Sequence, residues 1–159
     1  MIPLSLKLND VDTSMPQPVD GKYNATISSA EVKDNKLKTG YNLVVTVALT
    51  DSCTSTKGKE MKPGFKMTRF MPLPIPGSAY DNEHKEMFMT SLAMFQLAVL
   101  GLKNTEDNVA RLPVLDDPFI AGCVGKAVVV KVGLSKEKDG QESEFGPRQE
   151  IKAFLPVAE

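Results

Sequence analysis

The chain has 159 residues, of which 42% are hydrophobic and 25% charged, and a formal net charge of −1. These are ordinary values for one globular domain with a real core. No apolar run approaches the ~20 residues of a membrane span, and Met1–Leu8 lacks the charged leader and sustained apolar stretch of a secretory signal. Cys53 and Cys123 make no CxxC and read as reduced thiols of a cytosolic protein, not as a disulfide.

Residues 1–20 form an N-terminal arm with prolines at 3, 16 and 18, expected to lie over the domain or to be partly mobile. The domain itself is expected over 21–159. Its first strand runs from Gly21 to Lys33, with Tyr23, Ala25 and Ile27 on one face and Lys22, Asn24, Thr26 and Ser28 on the other. A polar turn, Asp34–Gly40, follows. The second strand, Asn42–Asp51, alternates Leu43, Val45, Val47 and Leu49 with Asn42, Val44, Thr46 and Ala48. Asp51–Pro63 reads as a loop carrying Lys57, Lys59 and Lys62. The third strand, Gly64–Met71, puts Phe65, Met67, Arg69 and Met71 on one face and Lys66, Thr68 and Phe70 on the other. Pro72, Pro74 and Pro76 are expected to end it, since none can donate to a ladder.

A helix is predicted over Asp81–Leu100, with an apolar stripe at Phe88, Leu92, Phe95, Val99 and Leu102. Asp81, Glu83 and Glu86 fall in its first turns, where the dipole favours them, and Gly101 is its expected stop. Thr105 and the Asp116-Asp117-Pro118 stretch each read as the cap of a short helical turn. The fourth strand, Gly125–Ser135, holds a continuous apolar run expected to be covered on both faces except at Lys131. After a charged loop, Lys136–Gly146, the last strand, Gln149–Leu155, alternates Ile151, Ala153 and Leu155 against Glu150, Lys152 and Phe154.

Three strands, one long helix and two more strands give the fold class: all-β with one main helix, a five-stranded OB-fold barrel with the helix between strands three and four. That fold uses one face and two loops to hold oligonucleotides or oligosaccharides. Charge along the order is uneven. Gly21–Phe70 carries nine Lys or Arg against four Asp or Glu, whereas Met71–Gly125 carries three against seven. A basic half on a neutral protein is the footprint of a polyanion partner, or else a chance clustering of solvated lysines.

Little in the chain suits catalysis. His84 is the one histidine and reads as a polar surface residue at the helix start. No CxxC, GxxxxGK[ST] or GxSxG occurs, and the acidic residues of 136–146 lack calcium-loop spacing. The sequence therefore predicts a binding protein with no catalytic residue, no metal site and no cofactor. Single strands are held by a basic groove with aromatic faces on which bases stack. Tyr41, Phe70, Phe145 and Phe154 each lie near a cation, and each is either a stacking platform or a buried barrel aromatic. The cations expected to meet phosphates are Lys33, Lys36, Lys38, Lys66, Arg69, Lys131, Arg148 and Lys152.

From Gly21-Lys22-Tyr23 through Val124-Gly125-Lys126 to Glu150–Pro156, with Thr39-Gly40, Lys57-Gly58-Lys59 and Arg69-Phe70 between, the chain resembles the small phage-encoded single-stranded DNA-binding proteins, a diverged OB-fold family. The resemblance rests on order and spacing and covers about Gly21 to Pro156. It implies sequence-tolerant binding of single strands in phage DNA replication or recombination, in the host cytoplasm, with a homodimer and replication or recombination proteins as partners. Such proteins often carry an acidic C-terminal tail that recruits replication partners; with the sequence ending Phe154-Leu155-Pro156-Val157-Ala158-Glu159, recruitment by such a tail is not expected. The rival reading is a phage protein-interaction, structural or host-takeover module that binds no nucleic acid, through the acidic helix and the arm. A sugar-binding barrel is disfavoured by the shortage of aromatics, and a nuclease by the lack of a carboxylate cluster.

Overall fold

The computed structural model describes residues 5–7, 9, 17–55, 57–134 and 149–157. Seven strands and three helices follow in order: β1 (Gly21–Asp34), β2 (Tyr41–Leu49), β3 (Cys53–Thr54), β4 (Glu60–Met61), β5 (Lys66–Leu73), α1 (Lys85–Leu100), α2 (Glu106–Ala110), α3 (Asp117–Gly122), β6 (Ala127–Leu134) and β7 (Gln149–Leu155). Five of the strands make one antiparallel sheet in the order β5-β2-β1-β6-β7. Each neighbour reverses direction, so β5 and β7 at its two edges run parallel to each other. The sheet curls until these edges approach, giving the nearly closed OB-like barrel with one main helix that the strand order predicts.

The core follows from the alternation of side chains. Ala25 and Ile27 of β1, Leu43, Val45, Val47 and Leu49 of β2, Met67 and Met71 of β5, and Val128, Val130 and Val132 of β6 all point inward and are buried. Long β1 serves two partners: its first half pairs with β6 and its second with β2. A bulge between Ile27 and Ser29 marks the changeover and bends the strand, as closure requires. The helix closes one side of the barrel with Leu92, Phe95 and Ala98. It stops at Gly101, whose φ of 71° is left-handed, and the Leu102 amide reaches back to the Leu97 carbonyl at 2.9 Å. Thr105 and Asp116 cap the short helices by accepting from the amides of Asn108 and Phe119.

Several expectations need correction. β5 continues through Pro72 to Leu73, with Pro72 opposite Asn42, because an edge strand tolerates a residue that cannot donate. The 51–63 stretch holds a small hairpin, β3–β4, instead of a plain loop. The helix begins at Lys85, so Asp81 and Glu83 precede it and only Glu86 lies in its first turn. Asp81 instead accepts from the Gly77 amide and pairs with Lys85. The apolar run of β6 is fully buried only on its inner face; Val129, on the other, is half-buried.

The last residues before β1 are tied to the end of the β3–β4 hairpin and to β7. Pro18 bridges to Ser55, and the Gln149 side chain donates to Asp20 at 2.6 Å. Both cysteines are free. Among the described residues no helix is long and apolar enough to cross a membrane.

Candidate nucleic-acid interface

The outer face of β1, β2 and β5 is a ladder of side chains set by strand register. Lys33, Asn42 and Pro72 form one row; Glu31, Val44 and Phe70 the next; then Ser29, Thr46 and Thr68; then Thr26, Ala48 and Lys66. The middle of this ladder is short and polar, with Ser29, Thr46 and Thr68 in one row and Thr26 and Ala48 in the next. The Thr46 and Thr68 hydroxyls hydrogen-bond across it at 2.8 Å, and Ser28 donates to the Thr46 carbonyl. Above this floor stands Phe70, 63% exposed. Four residues along the same strand and on the same face is Lys66, also exposed.

The 35–40 turn borders one end of this face and is fixed in place. Asn35 accepts from the Thr39 amide through its side chain, its own amide donates to the Gly40 carbonyl, and its Nδ2 reaches the Tyr80 hydroxyl at 3.3 Å. The Ala79 amide donates to Thr39. Gly40 lets the Tyr80 ring pack close, since a Cβ there would lie 3.1 Å from it. Lys36 and Lys38 project from the turn, exposed, with Leu37 between them. Lys38 sits at φ 54°, a left-handed conformation that non-glycine residues seldom adopt. Tyr41 opens β2 beside the turn and is 45% exposed.

The predicted site residues therefore divide. Lys33, Lys36, Lys38, Lys66 and Phe70 gather on this face and its bordering turn, whereas Tyr41, beside the turn, has the strand parity of inward Leu43 and not of Phe70. Lys33 is ion-paired with Glu31 at 3.0 Å, so part of its charge is already answered. Lys131 lies on the outer face of β6, opposite Lys22. Phe145 and Arg148 lie outside the described residues.

Arg69 and Phe154 turn away from the surface. A bulge at Lys131/Val132 sets Lys152 out of register, so Val132 opposes Ile151 and Lys131 opposes Ala153. That one extra residue reverses the alternation after it, and Phe154 points inward with 1% exposure. Its ring packs edge-on against Phe95 at 5.1 Å. Arg69, on the inner face of β5, lays its guanidinium over the same ring, 5.6 Å from the centroid. Desolvation pulls the Arg69 pKa down, and the Glu150 carboxylate pulls it back up. Arg69 and Phe154 thus bridge the β5–β7 seam. Lys152 is held by Glu150 at 2.6 Å, and its stem lies along Gly133.

Sequence reasoning did not single out Asn42, Val44, Thr46 and Thr68 as the floor, though their shared parity was readable in β2 and β5. Lys22 was missed because its partner is set by pairing across strands. Among the described residues no three His, Cys, Asp or Glu side chains group as metal ligands would. What the surface offers is contact: a floor short and polar at its middle, flanking cations and an aromatic ring open to a planar group. No family model matches the chain, and neither does any curated protein.

Proposed function

We propose that the protein binds single-stranded DNA without catalysis and largely without regard to sequence, on the outer face of β1, β2 and β5. The observation that carries this reading is Phe70. A ring left 63% exposed on a strand face of an OB-like barrel, in line with Lys66, suits base stacking with a phosphate contact alongside. Four of the nine cations of Gly21–Phe70 support it, because Lys33, Lys36, Lys38 and Lys66 stand on the face and its turn. The resemblance to phage single-stranded DNA-binding proteins extends the proposal to phage DNA replication or recombination, with a homodimer as the acting species.

Fluorescence anisotropy with labelled oligo-dT and with duplex, titrated with salt, tests it. Neutralising about five phosphates predicts a slope of log K against log salt near −3.5, and weaker binding to duplex. Absence of binding at low salt overturns the proposal, and salt-independent binding contradicts its electrostatic half.

A further inference from the structure

Lys22 of β1 and Lys131 of β6 are register partners, both exposed. Like charges directly opposite on adjacent strands repel and destabilise the sheet. Elsewhere on the barrel strand lysines have a carboxylate at hand: Lys33 pairs with Glu31 and Lys152 with Glu150. Among the described residues neither Lys22 nor Lys131 has an ion pair. The carboxylates near them in sequence or register are engaged by other groups. Asp20 accepts from Gln149 at 2.6 Å, Asp51 from Asn24 at 3.1 Å, and Glu150 from Lys152 at 2.6 Å. Among the described residues the fold thus sets two lysines at facing register positions with no carboxylate ion-paired to either, an arrangement that an anion lying between them would stabilise.

The position of the pair says which anion. The outer row Thr26, Ala48, Lys66 belongs to the proposed interface. Two steps down β1 on the same face is Asn24, opposite Val129, and two further is Lys22, opposite Lys131. No strand edge interrupts the surface between them, since β1 is shared by both halves of the sheet. From Lys22 to Lys33, β1 runs roughly 36 Å at about 3.3 Å per residue. An extended polyanion following β1 would meet Lys33 and the 35–40 turn at one end and the lysine pair at the other.

We infer that Lys22 and Lys131 together form a second phosphate-binding point, which lengthens the single-strand track along β1 past the β2–β5 face. This inference rests on the single-strand reading above. It extends the contact along β1 beyond the rows that β1 shares with β2 and β5.

The test uses Lys22→Gln, Lys131→Gln and the double variant, with oligo-dT of about 5 and about 16 nucleotides, near the two ends of the span of about 4–16 that one such barrel covers. Glutamine keeps the stem and removes the charge. On the long oligonucleotide the double variant should lower the magnitude of the salt slope by about 1.4, some 0.7 per lysine. On the short one the slope should not move. The thermal midpoint should hold or rise, because a repulsion has been removed, whereas a merely structural role for the lysines would lower it. Lys131→Arg should keep the wild-type slope. Wild-type binding with an unchanged slope in the double variant overturns this inference and leaves the single-strand reading standing. A wild-type protein that binds neither oligonucleotide overturns both.

Discussion

Phe70 and Phe154 lie on the two edge strands of the same sheet, and each has a cation on the same predicted face, Lys66 and Lys152. Read as alternating strands, they look equivalent. In the fold Phe70 stands 63% exposed over a polar floor, and Phe154 is closed into the core against Phe95. The difference is one residue of register. β5 pairs with β2 without interruption from Lys66 to Tyr41's partner, Leu73, so its parity holds to the end. β7 carries a bulge, so everything after it changes face. An aromatic beside a lysine in a strand is therefore informative only where the pairing is unbroken.

Three measurements break or sharpen that contrast. The largest effect belongs to Phe154→Ala. Removing a fully buried ring that touches Phe95 and Arg69 should cost about 3–5 kcal/mol of stability in chemical denaturation. A Phe154→Ala protein of normal stability with weakened DNA binding would place the ring on the surface and erase the contrast. Next comes Phe70→Ala, which should leave stability within about 0.5 kcal/mol while weakening oligo-dT binding by about 1–3 kcal/mol, about fivefold or more. A destabilised protein with unaltered binding would give Phe70 the role assigned to Phe154.

The smallest effect is a pH dependence that only the buried side should have. Burial pushes the Cys123 thiol above its ordinary range, with Lys126 pulling it back, while Sγ donates to the Phe119 carbonyl at 3.2 Å. A folded-state pKa above the unfolded one stabilises the fold while the thiol stays protonated. That contribution is complete below the unfolded thiol pKa of about 8.5 and drains away as pH rises through the higher folded value. Denaturation midpoints followed from pH 7 to 10 should fall at the alkaline end, and the fall should be shallower in Cys123→Ala. An identical alkaline slope in that variant would show the thiol is not its source.

The barrel was legible because its inner faces are plain. Leu43, Val45, Val47 and Leu49 alternate without a break, and Gly101 and Thr105 punctuate the helices with side-chain chemistry that works locally. What was not legible depends on pairing. The Ile27/Ser29 and Lys131/Val132 bulges leave no mark in a single strand, and neither does the edge position that lets β5 run through Pro72. Of the candidate face, Lys66 and Phe70 were readable from parity in one strand. The row that joins Phe70 to Val44 and Glu31, and the one that sets Lys22 against Lys131, exist only once three strands are side by side.

The seam between β5 and β7 also bears on how the barrel yields. Four of its five strand boundaries are backbone ladders; at the fifth, among the described residues, no ladder forms, and the Arg69 guanidinium on the Phe154 ring spans the gap. The barrel is thus a rolled sheet held shut by a clasp of side chains. The helix α1 backs that clasp, packing on both edge strands and setting Phe95 against the Phe154 ring, so the seam yields only where cation, ring and helix yield together.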